Sequence, residues 1–197
     1  MPKLLLALLL AAAPSIMAAP STAAVAIAAQ TDPAKLATLK GERAANPRMQ
    51  RCVYWLAMAE AGGERPEAVL DEAARLNGTA GTAYASFIRW GMIENLRLAK
   101  ELGILTLEGM AELRRGHSAT ITKGDHAGEE AEADHVIPRA VCPELSNQVF
   151  NLELLAAKLN RAKSAKIGER QRVFARELHD VRLLSDAGWA AVERAGE

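Results

Sequence analysis

Residues 133–164 read ADHVIPRAVCPELSNQVFNLELLAAKLNRAKS, and the reading of the whole chain turns on these thirty-two residues. Asp134 stands beside His135. Asn151 follows the histidine by sixteen residues, and Asn160 opens the run Asn160-Arg161-Ala162-Lys163-Ser164. Ala133 to Pro138, with Val136 and Ile137, reads as a short strand. Arg139 to Ser146 contains Pro143 and reads as a connecting loop. Val149 to Leu155 reads as a second strand, and Ala156 onward as a helix that carries Asn160. Strand, loop, strand, helix in about thirty residues is a ββα unit. Such a unit is too small to bury much surface alone, so the preceding helices are expected to supply its core.

Upstream, Asp32 to Arg115 reads as a series of helices. Asn46-Pro47 is a start signal, an N-cap residue type followed by proline at the first helical position. Cys52, Trp55, Leu56 and Ala59 then lie on one apolar stripe. Gly62-Gly63 closes that helix and Pro66 opens the next. A longer helix carries Tyr84, Phe87, Ile88, Met92, Leu96 and Ala99 and stops near Gly103. A short capped helix follows from Thr106-Leu107 to Gly116. Trp55 and Trp90 read as packing residues, and these helices carry no catalytic pattern. Past the ββα unit, a last helix spans about Arg170 to Leu184, and Asp186 to Glu197 reads as a terminal turn or short helix.

The first residues have the pattern of an export signal. Lys3 gives a short positive start, and Leu4 to Ala13 is an unbroken apolar run of ten residues. A membrane-spanning helix needs roughly 20. Two cleavage zones follow. One lies around Ala18-Ala19, with Pro20 poorly placed just after it. The other lies around Ala26-Ile27-Ala28-Ala29, and a cut there, before Gln30, is the one expected. The mature chain is then expected to be soluble and exported, periplasmic or secreted, with no membrane attachment. Its parts would be a signal over 1–29, a helical region over 30–116, the ββα unit over 117–171 and a C-terminal helical extension over 172–197.

Lysine and arginine together number 24, as do aspartate and glutamate, so the net charge is zero. No global basicity announces a nucleic-acid partner, but the distribution is uneven. Glu129, Glu130, Glu132 and Asp134 crowd into six residues. Between 158 and 176, Lys158, Arg161, Lys163, Lys166, Arg170, Arg172 and Arg176 are offset only by Glu169. A local excess of this size holds a phosphate backbone even when the net charge vanishes.

Cutting a phosphodiester requires an activated water and a means to absorb the charge that grows on the leaving oxygen. A divalent cation does the second as a Lewis acid, and histidine, which titrates near neutrality, does the first as general base. Asp134 and Asn160 offer a carboxylate and an amide oxygen, hard ligands suited to Mg²⁺ or Mn²⁺. The sequence has no CxxC and no His-x₃-His, which argues against a structural zinc. It also lacks a P-loop, a dinucleotide fingerprint and a serine-histidine-aspartate order. One geometric difficulty stands. Adjacent residues on a regular strand point to opposite faces. Asp134 and His135 serve one site only where the strand twists strongly or ends, or where they address opposite sides of the phosphate. Arg139, after the histidine strand, and Arg161, Lys163 and Lys166 in the basic run are the expected phosphate contacts.

Taken together, Asp134-His135-Val136-Ile137-Pro138, Asn151-Leu152-Glu153-Leu154 and Asn160-Arg161-Ala162-Lys163-Ser164 resemble the HNH endonucleases of the ββα-metal fold. The resemblance covers about Arg114 to Gln171, a third of the chain. The lead-in, Arg114-Arg115-Gly116 and Thr120 to Gly124, also looks like that of some bacterial HNH proteins. The resemblance implies that Asp134 and Asn160 bind the metal and that His135 is the general base. It implies that Asn151 fixes the loop and the histidine ring through hydrogen bonds. The family often has histidine where Asn160 stands; asparagine is an accepted variant that weakens any inference of nickel or zinc. The expected fold is α+β, mostly helical, with an N-terminal helical layer packed on a C-terminal HNH ββα-metal unit. The expected protein is an exported, metal-dependent endonuclease with Mg²⁺ or Mn²⁺ as cofactor and DNA, ahead of RNA, as partner. An alternative from another class keeps the scaffold without turnover and binds nucleic acid or an envelope partner through the basic stretch.

Two cysteines complete the reading. Cys52 lies on the apolar helix stripe and Cys142 in the loop between the strands of the motif. In an exported chain they permit one disulfide, which would close about 90 residues and tie the helices to that loop.

Overall fold

The computed structural model describes residues 19–196. The apolar run Leu4 to Ala13, and Ala18 of the earlier cleavage zone, lie outside the described residues. The described residues are mixed α+β and mostly helical, with one small antiparallel sheet.

Helix boundaries follow local chemistry. Helix α1 (Thr22–Thr31) starts at Ser21, whose hydroxyl accepts from the Ala24 N–H at 3.1 Å. Asp32 caps α2 (Pro33–Ala37) in the same way. Prolines sit in the first turns of α3 (Asn46–Ala61) and α4 (Pro66–Leu76), where no backbone donor is missed. Threonine hydroxyls cap α5 (Ala83–Glu101) and α6 (Leu107–Arg115). Gly116 ends α6 at φ 83°, a left-handed position that costs glycine nothing. The expected cap at Asn46 moves by one residue. Ala45 is the N-cap, and Asn46, already helical, sends its amide across to the Ala133 carbonyl at 2.8 Å.

Helix α1 covers the expected cleavage point. Ala23, Ala24, Ile27 and Ala28 are buried against α3 and α4, with Ile27 fully enclosed. A cut before Gln30 would remove most of this ten-residue helix and its cap from the core. A cut ahead of Ser21 would leave this helix and its cap whole.

The sheet consists of β1 (Ala119–Thr120), β2 (Glu130–His135) and β3 (Leu152–Ala156), in the order β1-β2-β3, all antiparallel. Asp134 pairs with Glu153 and His135 with Leu152. Helix α7 (Ala157–Lys163) leaves β3 directly, and α8 (Glu169–Asp180) and α9 (Asp186–Ala195) follow. The ββα order is the expected one, but its strands are displaced. Val136 and Ile137 leave the β2 ladder because Asn151 takes their backbone groups. Val149–Asn151 forms a 3₁₀ turn rather than the start of β3.

One continuous core joins the helices to the sheet. Phe150, from the turn before β3, packs its ring against Tyr84 and Phe87 of α5, each at 5.9 Å between centroids. Gly91 lets α5 approach: a Cβ there would stand 3.2 Å from the Phe150 Cα. One turn on, buried Asn95 donates to the Leu152 carbonyl and accepts from the Leu154 N–H, both at 2.8 Å. Its side chain thus pairs with the outer edge of β3. Trp90 packs, tilted, against Phe174 of α8 at 5.3 Å between centroids, in the packing role expected of it. No helix among the described residues is long and apolar enough to cross a membrane.

The disulfide that the two cysteines permit is not formed. Cys52 and Cys142 are free thiols, both buried. Cys52 is enclosed in the apolar stripe of α3, whereas Cys142 turns its sulfur toward Glu144, 3.7 Å from Oε1. Burial pushes the Cys52 thiol up to about 12 and the Cys142 thiol up to about 11. Neither is then a thiolate near neutral pH, and the thiolate is the reactive form. A thiol-specific dye should find no fast-reacting group in the folded protein and two after denaturation. A fast-reacting thiol in the native protein would contradict this packing.

Candidate functional site

Strand β2 ends at His135, and that ending brings adjacent residues to one site. Along the strand, Glu130, Glu132 and Asp134 project from the exposed face, while Ala131, Ala133 and His135 point inward. Asp134 and His135 nevertheless border the same cleft, of about 450 Å³, together with Asn160 of α7. Glu42, Asn46 and Arg139 also line it.

His135 is held at one nitrogen. Its Nε2 lies 2.9 Å from the Ser146 carbonyl. A carbonyl only accepts, so Nε2 carries the hydrogen and the neutral ring keeps its lone pair on Nδ1. No hydrogen bond from the described residues engages Nδ1. This is the tautomer a general base needs.

The loop that supplies the carbonyl is fastened from three sides. Asn151, fully buried, accepts from the Ile137 N–H at 2.9 Å. Its amide donates to the carbonyls of Ile137 and Leu145 at 3.1 and 3.3 Å. The expected loop-fixing role of Asn151 therefore has its geometry, but the expected direct bond to the histidine ring is not made. Its polar atoms are spent on Ile137 and Leu145, and Ser146, next in the chain, holds the ring. Farther out, Asn147 donates to the Leu39 carbonyl at 3.0 Å. Glu144 accepts from the Ser185 N–H and hydroxyl at 3.2 and 2.9 Å, which ties the loop to the start of α9.

The two expected metal ligands each have one atom engaged and one oxygen free. Asp134 Oδ2 accepts from Lys163 Nζ at 2.8 Å. Asn160 Nδ2 donates to Glu132 Oε2 at 2.7 Å. No hydrogen bond from the described residues reaches Asp134 Oδ1 or Asn160 Oδ1. A carboxylate and an amide oxygen fit a hard cation that keeps several waters. Among the described residues, no group of three or more His, Cys, Asp and Glu side chains gathers as a metal cage.

Of the expected phosphate contacts, Lys163 is displaced from that role. Its ammonium also donates to the His135 carbonyl at 2.6 Å and to Glu153 Oε1 at 3.2 Å, so its three donors are used inside the protein. Glu153 is buried, faces Asp134 across the β2–β3 pair, and also binds Arg170 at 2.7 Å. Arg139 pairs with Glu42, which also lines the cleft, at 2.7 Å. Arg161 and Lys166 are exposed, with no acidic partner in ion-pair reach among the described residues. The remaining histidines turn to local carboxylates: His117 to Glu112, His126 to Glu129 and His179 to Asp186.

Glu132, Glu153 and Ser146 are the site residues that the sequence reading does not single out. Glu132 carries a usable signal, since period two puts it on the face of Asp134. Glu153 becomes visible only once the β2–β3 register is known. Ser146 acts through its backbone, which leaves no mark in the sequence.

Comparisons of the chain with protein-family models, curated proteins and solved structures return no match.

Proposed function

We propose that the chain is an exported HNH-type endonuclease that hydrolyses DNA phosphodiester bonds with a divalent metal. One observation carries the reading. A histidine with Nε2–H fixed by a carbonyl borders a cleft with an aspartate and an asparagine, each having one oxygen free of protein hydrogen bonds. In this reading His135 Nδ1 removes a proton from the attacking water. The Ser146 carbonyl keeps the ring oriented and stabilises the imidazolium that forms, because it accepts from Nε2 in both states. Asp134 and Asn160 would hold Mg²⁺ or Mn²⁺, which would supply Lewis-acid stabilisation of the charge on the phosphate. Lys163 serves the site from within, as the counter-ion of Asp134. Arg139, Arg161 and Lys166 meet the backbone phosphates, which position a substrate without reading its sequence.

The test is direct. The purified protein is incubated with supercoiled plasmid and with RNA, in Mg²⁺, in Mn²⁺ and in EDTA. Nicked or linear plasmid in the metal arms and intact plasmid in EDTA is the expected result. Plasmid that is bound yet intact in every arm would favour the non-catalytic binding protein. Neutralising Arg161 and Lys166 together should weaken DNA binding evenly across sequences. It should also reduce the slope of log affinity against log salt by about 2, one for each lost phosphate contact. An unchanged slope would make the basic run an ordinary solvated face.

A further inference from the structure

The amide of asparagine has two ends of similar shape and opposite polarity. Only Oδ1 can bind a cation; Nδ2, with two hydrogens, repels one. A site that relies on asparagine therefore needs something to decide which end faces inward. At 2.7 Å from Asn160 stands Glu132 Oε2, and an ionised carboxylate accepts but cannot donate. That contact is made only by Nδ2, so Oδ1 is left for the cleft.

Glu132 owes its place to the strand. It lies two residues before Asp134 on β2, so both side chains leave the same face and border the same cleft. Asn160 comes from α7, which follows β3, and Glu132 is its only described hydrogen-bond partner for the side chain. Asp134 is settled by a different neighbour. Lys163 occupies Oδ2, and Oδ1 remains. A carboxylate has no wrong end, so Asp134 does not depend on this grip for its polarity, whereas Asn160 does.

We propose that Glu132 is a positioning residue which fixes the orientation of the Asn160 amide, so that its oxygen and not its nitrogen faces the cation. This rests on the reading of Asp134 and Asn160 as metal ligands. Groups one step behind metal ligands commonly alter affinity by about 10- to 100-fold when removed.

Mn²⁺ affinity, measured by titration calorimetry on the full protein in the absence of nucleic acid, separates the roles. Glu132→Ala should bind Mn²⁺ about 10-fold more weakly or worse. Glu132→Gln keeps an acceptor oxygen for Nδ2 and should stay within about 3-fold of wild type, a small part of that range. In an Asn160→Asp background, whose carboxylate needs no orienting, Glu132→Ala should no longer weaken binding. Thermal melting of each variant confirms that it is folded. Equal losses in Glu132→Ala and Glu132→Gln would overturn the proposal, because they would mean that the charge of Glu132, or direct ligation by it, matters and not its bond to Asn160. A loss that persists in Asn160→Asp would overturn it as well. Wild-type protein that binds no Mn²⁺ would overturn the metal-site reading itself, a result distinct from the other two.

Discussion

Replacing His135 by alanine should lower the rate of metal-dependent DNA cleavage about 100-fold or more, the usual scale for loss of a general base. Under the proposed function metal affinity should survive, because that reading makes the ring a proton acceptor and not a ligand. Asp134→Ala should behave differently and lose both. It removes the only carboxylate of the proposed ligand pair and strips Lys163 of one of its three acceptors. Cleavage of plasmid DNA and calorimetric metal binding, measured on the same two variants, check the separation. Equal metal affinity in wild type and Asp134→Ala would remove Asp134 from the ligand set. Unchanged cleavage by His135→Ala would remove His135 from the reaction.

Replacing Asn151 by alanine should be the most damaging single change to stability near the site. The side chain is fully buried and serves three backbone groups: the Ile137 N–H, the Ile137 carbonyl and the Leu145 carbonyl. Each buried polar group left without a partner costs about 1–3 kcal/mol. The sum is about 3 kcal/mol or more, a large share of the roughly 5–15 kcal/mol that keeps a domain folded. Urea unfolding of the variant should show this as a shift in midpoint, with cleavage falling as well because Ser146 loses its fixed position. A loss below about 1 kcal/mol, less than one unpaired group is worth, would show that the loop is held by other contacts.

Much of the helical layer is legible in the sequence because its ends are marked by local chemistry. Pro47 and Gly62 bracket α3, Pro66 opens α4, and Gly116 closes α6. These signals act within a few residues and need no tertiary partner. Helix α1 is illegible for the opposite reason. Seven of its ten residues are alanine, valine or isoleucine, as those before a cleavage point often are, and only α3 and α4 make it part of the core. The ββα order was open to reading from Asp134, Asn151 and Asn160, but the strand limits were not. Asn151 draws Val136 and Ile137 out of the ladder through hydrogen bonds that cross fourteen or more residues. Lys163 shows the limit most clearly. Its spacing of three from Asn160 sets it near the same helix face. Nothing in that spacing says that two carboxylates and a carbonyl await its ammonium.

The way α5 meets the sheet bears on how portable the ββα segment is. Strand β3 lies at the border of the sheet, where main-chain groups ordinarily stay open to any passing strand. Here a single amide, Asn95, acts as a one-residue substitute for a fourth strand and answers the carbonyl of Leu152 and the N–H of Leu154. The helical layer therefore contributes hydrogen bonds to the sheet as well as apolar cover. Cut loose from α5, the ββα segment would carry an unanswered edge, with the Phe150 ring stripped of Tyr84 and Phe87 beside it. The segment that holds the site is thus a part of this fold rather than a module that could be lifted out and grafted elsewhere.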